Sequence, residues 1–217
     1  MYFVKAPFWL RSLYRSLIWK IPEKEKVIYL TFDDGPHAKA TPFVLDLLKK
    51  YAAKASFFCI GKNVEAETEL FERILREGHK VGNHTQNHVN GWKVSTEQYL
   101  SNIDQATNAI HSTLFRPPYG RIRFNAIKKV KSLISTRAKE KGIQTEAKIV
   151  MWDVLSGDFD EQLSPEKCLQ NLLKHTERGS IIVFHDSAKA LKRMEYALPR
   201  FLDFYTQLGF QFKVIPD

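Results

Sequence analysis

Beyond Pro22 the chain alternates short apolar runs with amphipathic stretches, and no repeat or low-complexity segment interrupts the pattern. Val27–Phe32 reads as a buried strand, bounded by the charged Glu23–Lys26 and the turn residues Asp34-Gly35-Pro36. Ala55–Cys59, Lys80–Asn83, Phe115–Arg116, Ile149–Trp152, Ser180–Phe184 and Phe210–Val214 repeat the strand signal. Helical patterns lie between them. Thr41-Pro42 opens a helix to about Lys50, with proline at an early helical position. Glu65–Glu77 is the next, stopped by Gly78. Ser95 and Gln98 have the spacing of a capping box and start a helix to about Ser112. Asn125–Lys141, Ser164–Thr176 and Met194–Gln207 complete the set. Strand–helix alternation repeated about seven times predicts a parallel sheet with helices outside. Closed into a (β/α) barrel, such a sheet carries its chemistry at the C-terminal strand ends. An open doubly wound sheet is the alternative.

The first residues pattern differently. Leu10, Leu13, Tyr14, Leu17 and Ile18 recur at helical spacing, while Lys5, Arg11 and Arg15 break the apolar run that a secretory leader needs. Residues 1–22 therefore read as a basic amphipathic extension ahead of a domain over 23–217. Such a helix either lies on a membrane surface or packs across the open end of a domain. The corresponding expectation is a cytoplasmic or peripherally membrane-associated protein, with residues 1–20 as the membrane contact.

Composition narrows the class. The 217 residues are 44% hydrophobic and 26% charged, which excludes a largely disordered chain. No stretch approaches the roughly 20 apolar residues of a membrane-spanning helix. Cys59 and Cys168 are too few for a disulfide scaffold and read as reduced thiols. The formal net charge is +9, and eight of the basic residues lie between Arg121 and Lys141 against the single acid Glu140. A stripe of this kind fits nucleic acid, anionic lipid, an acidic polymer or merely a solvated helix face. It lacks the interleaved aromatics of a base-stacking surface, so no nucleic-acid partner is expected.

Polar residues collect at the predicted strand ends: Asp33-Asp34, His84 and His88, Arg116, Asp153 and Asp158, and His185-Asp186. Each has an ordinary explanation alone, but burying so many ionisable groups on one face costs several kcal/mol unless they are paired. A metal supplies such a pairing. His84 and His88, separated by three residues and so on one side of a helical turn or tight loop, make with one carboxylate a two-histidine, one-carboxylate set that leaves coordination positions open. Asp33 and Asp34 point to opposite sides of an extended segment, so one is free to be a ligand and the other a base.

Thr31-Phe32-Asp33-Asp34-Gly35-Pro36, His84-Thr85-Gln86-Asn87-His88, Arg116-Pro117-Pro118-Tyr119-Gly120 and Ile182-Val183-Phe184-His185-Asp186 resemble, in order, the signature motifs of the polysaccharide deacetylases. This is the family of chitooligosaccharide and peptidoglycan N-acetylglucosamine deacetylases, carbohydrate esterase family 4. The resemblance runs from about Val27 to the C-terminus and implies a distorted (β/α) barrel of about seven parallel strands in a single domain. It further implies Asp33 as general base, and Asp34, His84 and His88 around one divalent metal, zinc or else cobalt. Arg116 would position Asp33, and the Tyr119 backbone N–H would stabilise the oxyanion. His185 would act as general acid. Asp158 would tune it, since a neighbouring carboxylate favours imidazolium. Pro118, Tyr119, Phe159 and Val183 would contact an N-acetylated glycan or amino-sugar substrate.

One motif departs from the family pattern of Asp-x-x-Asp-Trp. In Trp152-Asp153-Val154-Leu155-Ser156-Gly157-Asp158-Phe159, Leu155 stands where the first Asp is expected and Phe159 replaces Trp. The reading is an N-deacetylase. An O-acetyl esterase, a non-sugar amidase or a non-catalytic carbohydrate-binding barrel are the alternatives. Asp153 and Asp186 read as partners that orient histidines or close loops. Trp92 reads as a sugar platform or a core residue, and His37, His79, His111 and His175 as surface or local structural residues.

Overall fold

The computed structural model describes residues 2–216. In chain order the regular elements are α1 (Phe8–Leu13), β1 (Val27–Asp33), α2 (Ala40–Lys50), β2 (Ala55–Cys59), α3 (Gly61–Ala66), α4 (Thr68–Arg76), β3 (Lys80–Asn83), α5 (Thr96–Ala106), β4 (Leu114–Phe115), α6 (Ile127–Glu140), β5 (Lys148–Ile149), β6 (Val154–Leu155), α7 (Pro165–His175), β7 (Ile181–His185), α8 (Leu191–Gln207) and β8 (Gln211–Phe212). The strands are parallel and run β5-β4-β3-β2-β1-β7-β6, with β8 pairing the start of β1. Read around a circle, that order is the chain order with a gap between β5 and β6. No strand order reverses, so this is a barrel opened along one seam and not a doubly wound sheet.

The seam is filled by the N-terminal segment. Ile18 donates to the Ile149 carbonyl and accepts from Met151 N–H on the β5 side, and on the β6 side the Val4 carbonyl accepts from Leu155 N–H. Residues 2–21, read above as an extension, thus satisfy edge groups that would otherwise be an open template for pairing. Leu17 and Trp19 are buried with Tyr99, Phe115 and Ile149. Only Phe8–Leu13 is helical, shorter than the periodicity predicts, because the backbone of Ile18 is committed to the seam. Packing across the open side is therefore the geometry found. No helix among the described residues is long and apolar enough to cross a membrane.

Three further elements differ from expectation. The helix expected over Glu65–Glu77 is two, α3 and α4, broken at Glu67, where the Thr68 hydroxyl donates back to the Val64 carbonyl and competes with the helical ladder. The helix from Ser95 keeps its reciprocal capping box but stops at Ala106, where the Thr107 hydroxyl takes the Asp104 carbonyl. The strand expected over Ile149–Trp152 is the end of β5 followed by a crossing to β6, and two-residue strands are too short to show a period.

The main core lies between β1, β2, β7 and the helices α2, α7 and α8, where Phe32 stacks between Phe57 and Phe184. All seven residues of β1 are buried, which makes it the rigid axis on which the first motif is carried. Cys59 and Cys168 are buried free thiols. On α6 the apolar Ile127, Val130 and Ile134 are buried. Arg137 pairs with Asp104 at 2.6 Å and Lys131 donates to the Ser16 carbonyl.

Candidate active site

Register brings the motifs together. Asp33 at the end of β1 pairs with His185 on one side and Phe58 on the other, Cys59 with Asn83, and Asn83 with Phe115. Residues separated by up to 152 positions, as Asp33 and His185 are, thus end on one rim, the C-terminal one. The ladder continues one step further, with His84 N–H donating to the Cys59 carbonyl and Arg116 N–H to the Asn83 carbonyl. Beyond that step the backbone leaves regular geometry. Asp34, Thr85, His88 and Tyr119 have φ of 80°, 65°, 54° and 60°, four of the five non-glycine residues with positive φ among those described. Strain of this kind persists only where surrounding contacts over-determine it, and it clusters at functional sites.

Those contacts are visible. The first turn is pinned by Asp186, whose carboxylate accepts from Gly35 N–H at 3.0 Å and from the Thr41 hydroxyl at 2.5 Å. A Cβ on Gly35 would lie 2.0 Å from that carboxylate, so only glycine fits. Burial pushes the Asp186 carboxyl up to about 8. The histidine loop is held by α5, where the Asn102 carbonyl and side-chain oxygen accept from Gln86 and Asn87 N–H. Asp186 therefore closes a loop, whereas Asp153 lies on the seam, where it binds Lys5 at 2.8 Å, Ser180 at 2.6 Å and Arg11.

The base side of the site is fully satisfied. The Arg116 guanidinium, wholly buried, donates to Asp33 Oδ1 at 2.6 Å, Thr31 Oγ1 at 2.7 Å, and the carbonyls of Met151 at 2.9 Å and Val150 at 3.2 Å. Its face lies 4.0 Å from the Phe58 ring centroid. Burial lowers the Arg116 pKa and Asp33 opposes that shift. One Asp33 oxygen is thereby committed to arginine.

Asp34, by contrast, turns its Oδ1 toward the Nε2 atoms of His88 at 3.2 Å and His84 at 3.7 Å. His84 Nδ1 donates to the Arg116 carbonyl at 2.7 Å, which fixes the tautomer and leaves Nε2 as a lone pair. Burial, with His88 adding to it, lowers the His84 pKa to about 3, and burial lowers that of His88 too. Both imidazoles are neutral at ordinary pH. Asp34 Oδ1 is buried and no hydrogen bond reaches it among the described residues. Three lone-pair donors converging within 4.8 Å with nothing between them fit a divalent cation, and they do not fit one another.

Across the cavity His185 forms the third pairing. Its Nδ1 lies 2.7 Å from Asp158 Oδ1, and its backbone N–H donates to Oδ2 at 2.7 Å. Burial opposes the imidazolium, but Asp158, reinforced by Asp34 and Asp33, outweighs it and raises the pKa to about 9. These groups open into a cavity of about 480 Å³, also lined by Pro117, Tyr119, Trp152, Leu155, Phe159 and Val183. Pro118 is buried behind that surface. The Tyr119 ring packs on His88 at 4.6 Å, and its hydroxyl is 3.1 Å from His88 Nδ1. His37, His79, His111 and His175 lie outside the cavity lining; burial lowers His79 to about 4, and its Nδ1 accepts from Ala55 N–H. Two lining residues carry no sequence signal for it. Tyr2 packs on Phe159 at 4.9 Å and donates to Asp160 at 2.9 Å, and Trp152 closes over Gly120, where a Cβ would meet its ring at 2.5 Å.

A cation site between an arginine-held carboxylate and a carboxylate-held imidazolium is the equipment for activating water at one side and releasing a leaving group at the other, the class of metal-dependent hydrolases. The chain belongs to the polysaccharide deacetylase family, whose model matches residues 20–137. It is accordingly a hydrolase of carbon–nitrogen bonds. It is 34% identical over 206 residues to a peptidoglycan-N-acetylglucosamine deacetylase of Bacillus cereus, a match covering 92% of this chain and 91% of that one. It is 31% identical to the peptidoglycan-N-acetylmuramic acid deacetylase PdaC of Bacillus subtilis, over 76% of this chain and 33% of that protein. Among solved structures, a peptidoglycan N-acetylglucosamine deacetylase in complex with a naphthyl N-oxidanyl-benzamide superposes with a TM-score of 0.83 at 29% identity, covering 97% of this chain and 95% of that one.

Proposed function

We propose that this protein removes the acetyl group from N-acetylglucosamine units of a glycan, with zinc as the resident cation at Asp34, His84 and His88. The observation that carries the reading is the division of labour between adjacent carboxylates. Asp33 is committed to Arg116, and Asp34 points an unpartnered buried oxygen at two neutral imidazoles. The cation, when bound, supplies Lewis acidity that activates water and polarises the acetamide carbonyl.

The protein's own groups do the rest. Asp33 takes the proton of the attacking water on the oxygen that Arg116 does not occupy, and Arg116 holds that carboxylate in place. The Tyr119 N–H donates to the carbonyl oxygen as charge develops there. The adjoining turns are closed by Gly120 and Arg121 N–H onto Pro117 and Pro118, leaving the Tyr119 N–H out of both. His185, held as imidazolium by Asp158, gives its Nε2 proton to the departing nitrogen as the carbon–nitrogen bond breaks. One water and one amide thus become acetate and a free amine. Val183, Leu155 and Phe159 supply the apolar wall for the acetyl methyl.

The test is acetate release from N-acetylglucosamine oligomers by chelated protein reloaded with zinc or with cobalt, beside Asp33→Asn and His84→Ala. Release that depends on metal and is lost in both variants is the expected outcome. The relationship to PdaC makes N-acetylmuramic acid the second substrate to try. Release from a muramic-acid-containing fragment but not from the glucosamine oligomer would move the assignment there.

A further inference from the structure

Helix α1 presents its apolar side to solvent and its charge to the protein. At about 100° per residue, Phe8, Trp9, Ser12 and Leu13 fall on one side of it, and Leu10 and Arg11 on the other. Arg11 binds the wholly buried Asp153, and Leu10 packs against the cluster of Leu17 and Trp19. Seven large hydrophobic side chains are more than half exposed among the described residues, and five of them, Phe3, Phe8, Trp9, Leu13 and Phe124, belong to this one region. Phe3 meets Trp9 edge-on at 6.3 Å, and Tyr14, next to Leu13, packs on Phe124 at 5.8 Å. An exposed apolar patch with polar groups at its rim marks an interaction surface.

Its neighbour is cationic. Phe124 and Ser16 line a trough of about 630 Å³ along α6, whose other walls include Lys128, Lys131 and Lys139 with serine and threonine hydroxyls between them; Glu146 is its one acid. Lys131 ties patch and trough together by donating to the Ser16 carbonyl at 3.0 Å. Arg15, Lys128 and Lys139 are exposed on this side or half in solvent, and make no ion pair among the described residues. Apolar side chains beside unpaired cations fit a partner with an apolar interior beneath a layer of phosphates. We propose that this face docks on an anionic phospholipid membrane, with Phe8, Trp9, Leu13 and Phe124 entering the headgroup–acyl boundary and the lysines of the trough receiving lipid phosphates. Two such signals, apolar insertion and a basic patch, are what stable peripheral binding takes. A soluble polyanion would leave the apolar side of α1 in water. A second copy of the chain seated about a two-fold axis would set the same cations against each other. Tyr2, beside Phe3, lines the catalytic cavity, so a docked molecule holds the cavity rim near the bilayer.

The test is co-sedimentation of the full chain with vesicles of phosphatidylcholine alone and of an equimolar mixture of phosphatidylcholine and phosphatidylglycerol. Binding is expected to be at least roughly tenfold tighter to the mixed vesicles and to weaken as salt rises. Phe8→Ser with Leu13→Ser, both at exposed positions, should weaken it by roughly tenfold or more. Lys128→Gln with Lys139→Gln should weaken it by roughly 5-fold per lysine. Lys49→Gln with Lys192→Gln removes the same charge from exposed positions on α2 and α8, and should change it by less than about twofold. Absence of binding to the mixed vesicles, or equal binding to both kinds, overturns the proposal. So does an equal loss in the α2 and α8 control, which would make the attraction one of net charge alone. Binding that survives the Phe8 and Leu13 changes, with soluble polyphosphate bound as tightly, would make the trough a polyanion site and overturn the membrane assignment. Dimerisation without lipid binding, read by analytical ultracentrifugation and abolished by the same two changes, would give the face to a second copy.

Discussion

Asp33 and Asp34 are neighbours in the chain, yet they belong to two differently built halves of one site. Around Asp33 the polar groups are paired: Arg116 spends its donors on Asp33, Thr31 and two carbonyls, and Phe58 covers its face. Around Asp34 they are not, because a buried carboxylate oxygen faces two imidazoles and no hydrogen bond reaches it among the described residues. The first half is a finished piece of protein interior that holds a base in one orientation. The second is complete only with a cation. Buried polar groups that are satisfied rigidify a site, and a cluster left unsatisfied marks where a ligand belongs.

The largest expected effect comes from breaking the unfinished half. His84→Ala removes one of three donors, and both stoichiometric metal content, read by elemental analysis, and acetate release should fall to background. Asp33→Asn should sharpen the contrast, because it keeps the metal while slowing turnover by roughly 10²- to 10⁴-fold, the usual contribution of a positioned base. Loss of metal in Asp33→Asn would show that the two halves are not separable. Arg116→Met attacks the finished half through stability. It leaves a buried carboxylate unpaired and should cost about 3–5 kcal/mol in urea unfolding, with metal binding retained in the folded fraction.

The smallest effect is on pH. His185, raised to about 9, is protonated across the neutral range, so activity should hold up to that value and fall on the alkaline side. Asp158→Asn removes the group that holds the proton, and the alkaline limb should move toward the ordinary histidine value near 6.5. The same pair contributes to stability with a definite sign. Its folded pKa lies above the unfolded one, so the contribution is fully present below about 6.5 and is lost as pH rises through about 9. An alkaline limb unmoved in Asp158→Asn would remove His185 from the role of acid.

The cation cluster was visible in the chain as polar residues at strand ends, because the alternation of elements places every strand end on one rim, whereas the Asp33–Arg116 and His185–Asp158 pairings were implied by the resemblance of the motifs to a known family. The spacing of His84 and His88 and the adjacency of Asp33 and Asp34 are local facts, and local facts survive in sequence. The capping box at Ser95 and Gln98 was legible for the same reason. What could not be read is non-local. Nothing near Tyr2 signals that its ring packs on Phe159, 157 positions away, nor does the charge pattern of Lys5 and Arg11 reveal Asp153 as their anchor. The amphipathic period of the first residues suggested a longer helix, since periodicity does not record that the backbone of Ile18 is needed at a sheet edge. Motif chemistry and strand order are thus properties of short stretches and their succession. The closing of the seam, the second wall of the cavity and the outward apolar face of α1 arise only when distant segments compete for the same unsatisfied edge, and that competition is settled by tertiary hydrogen bonding and burial.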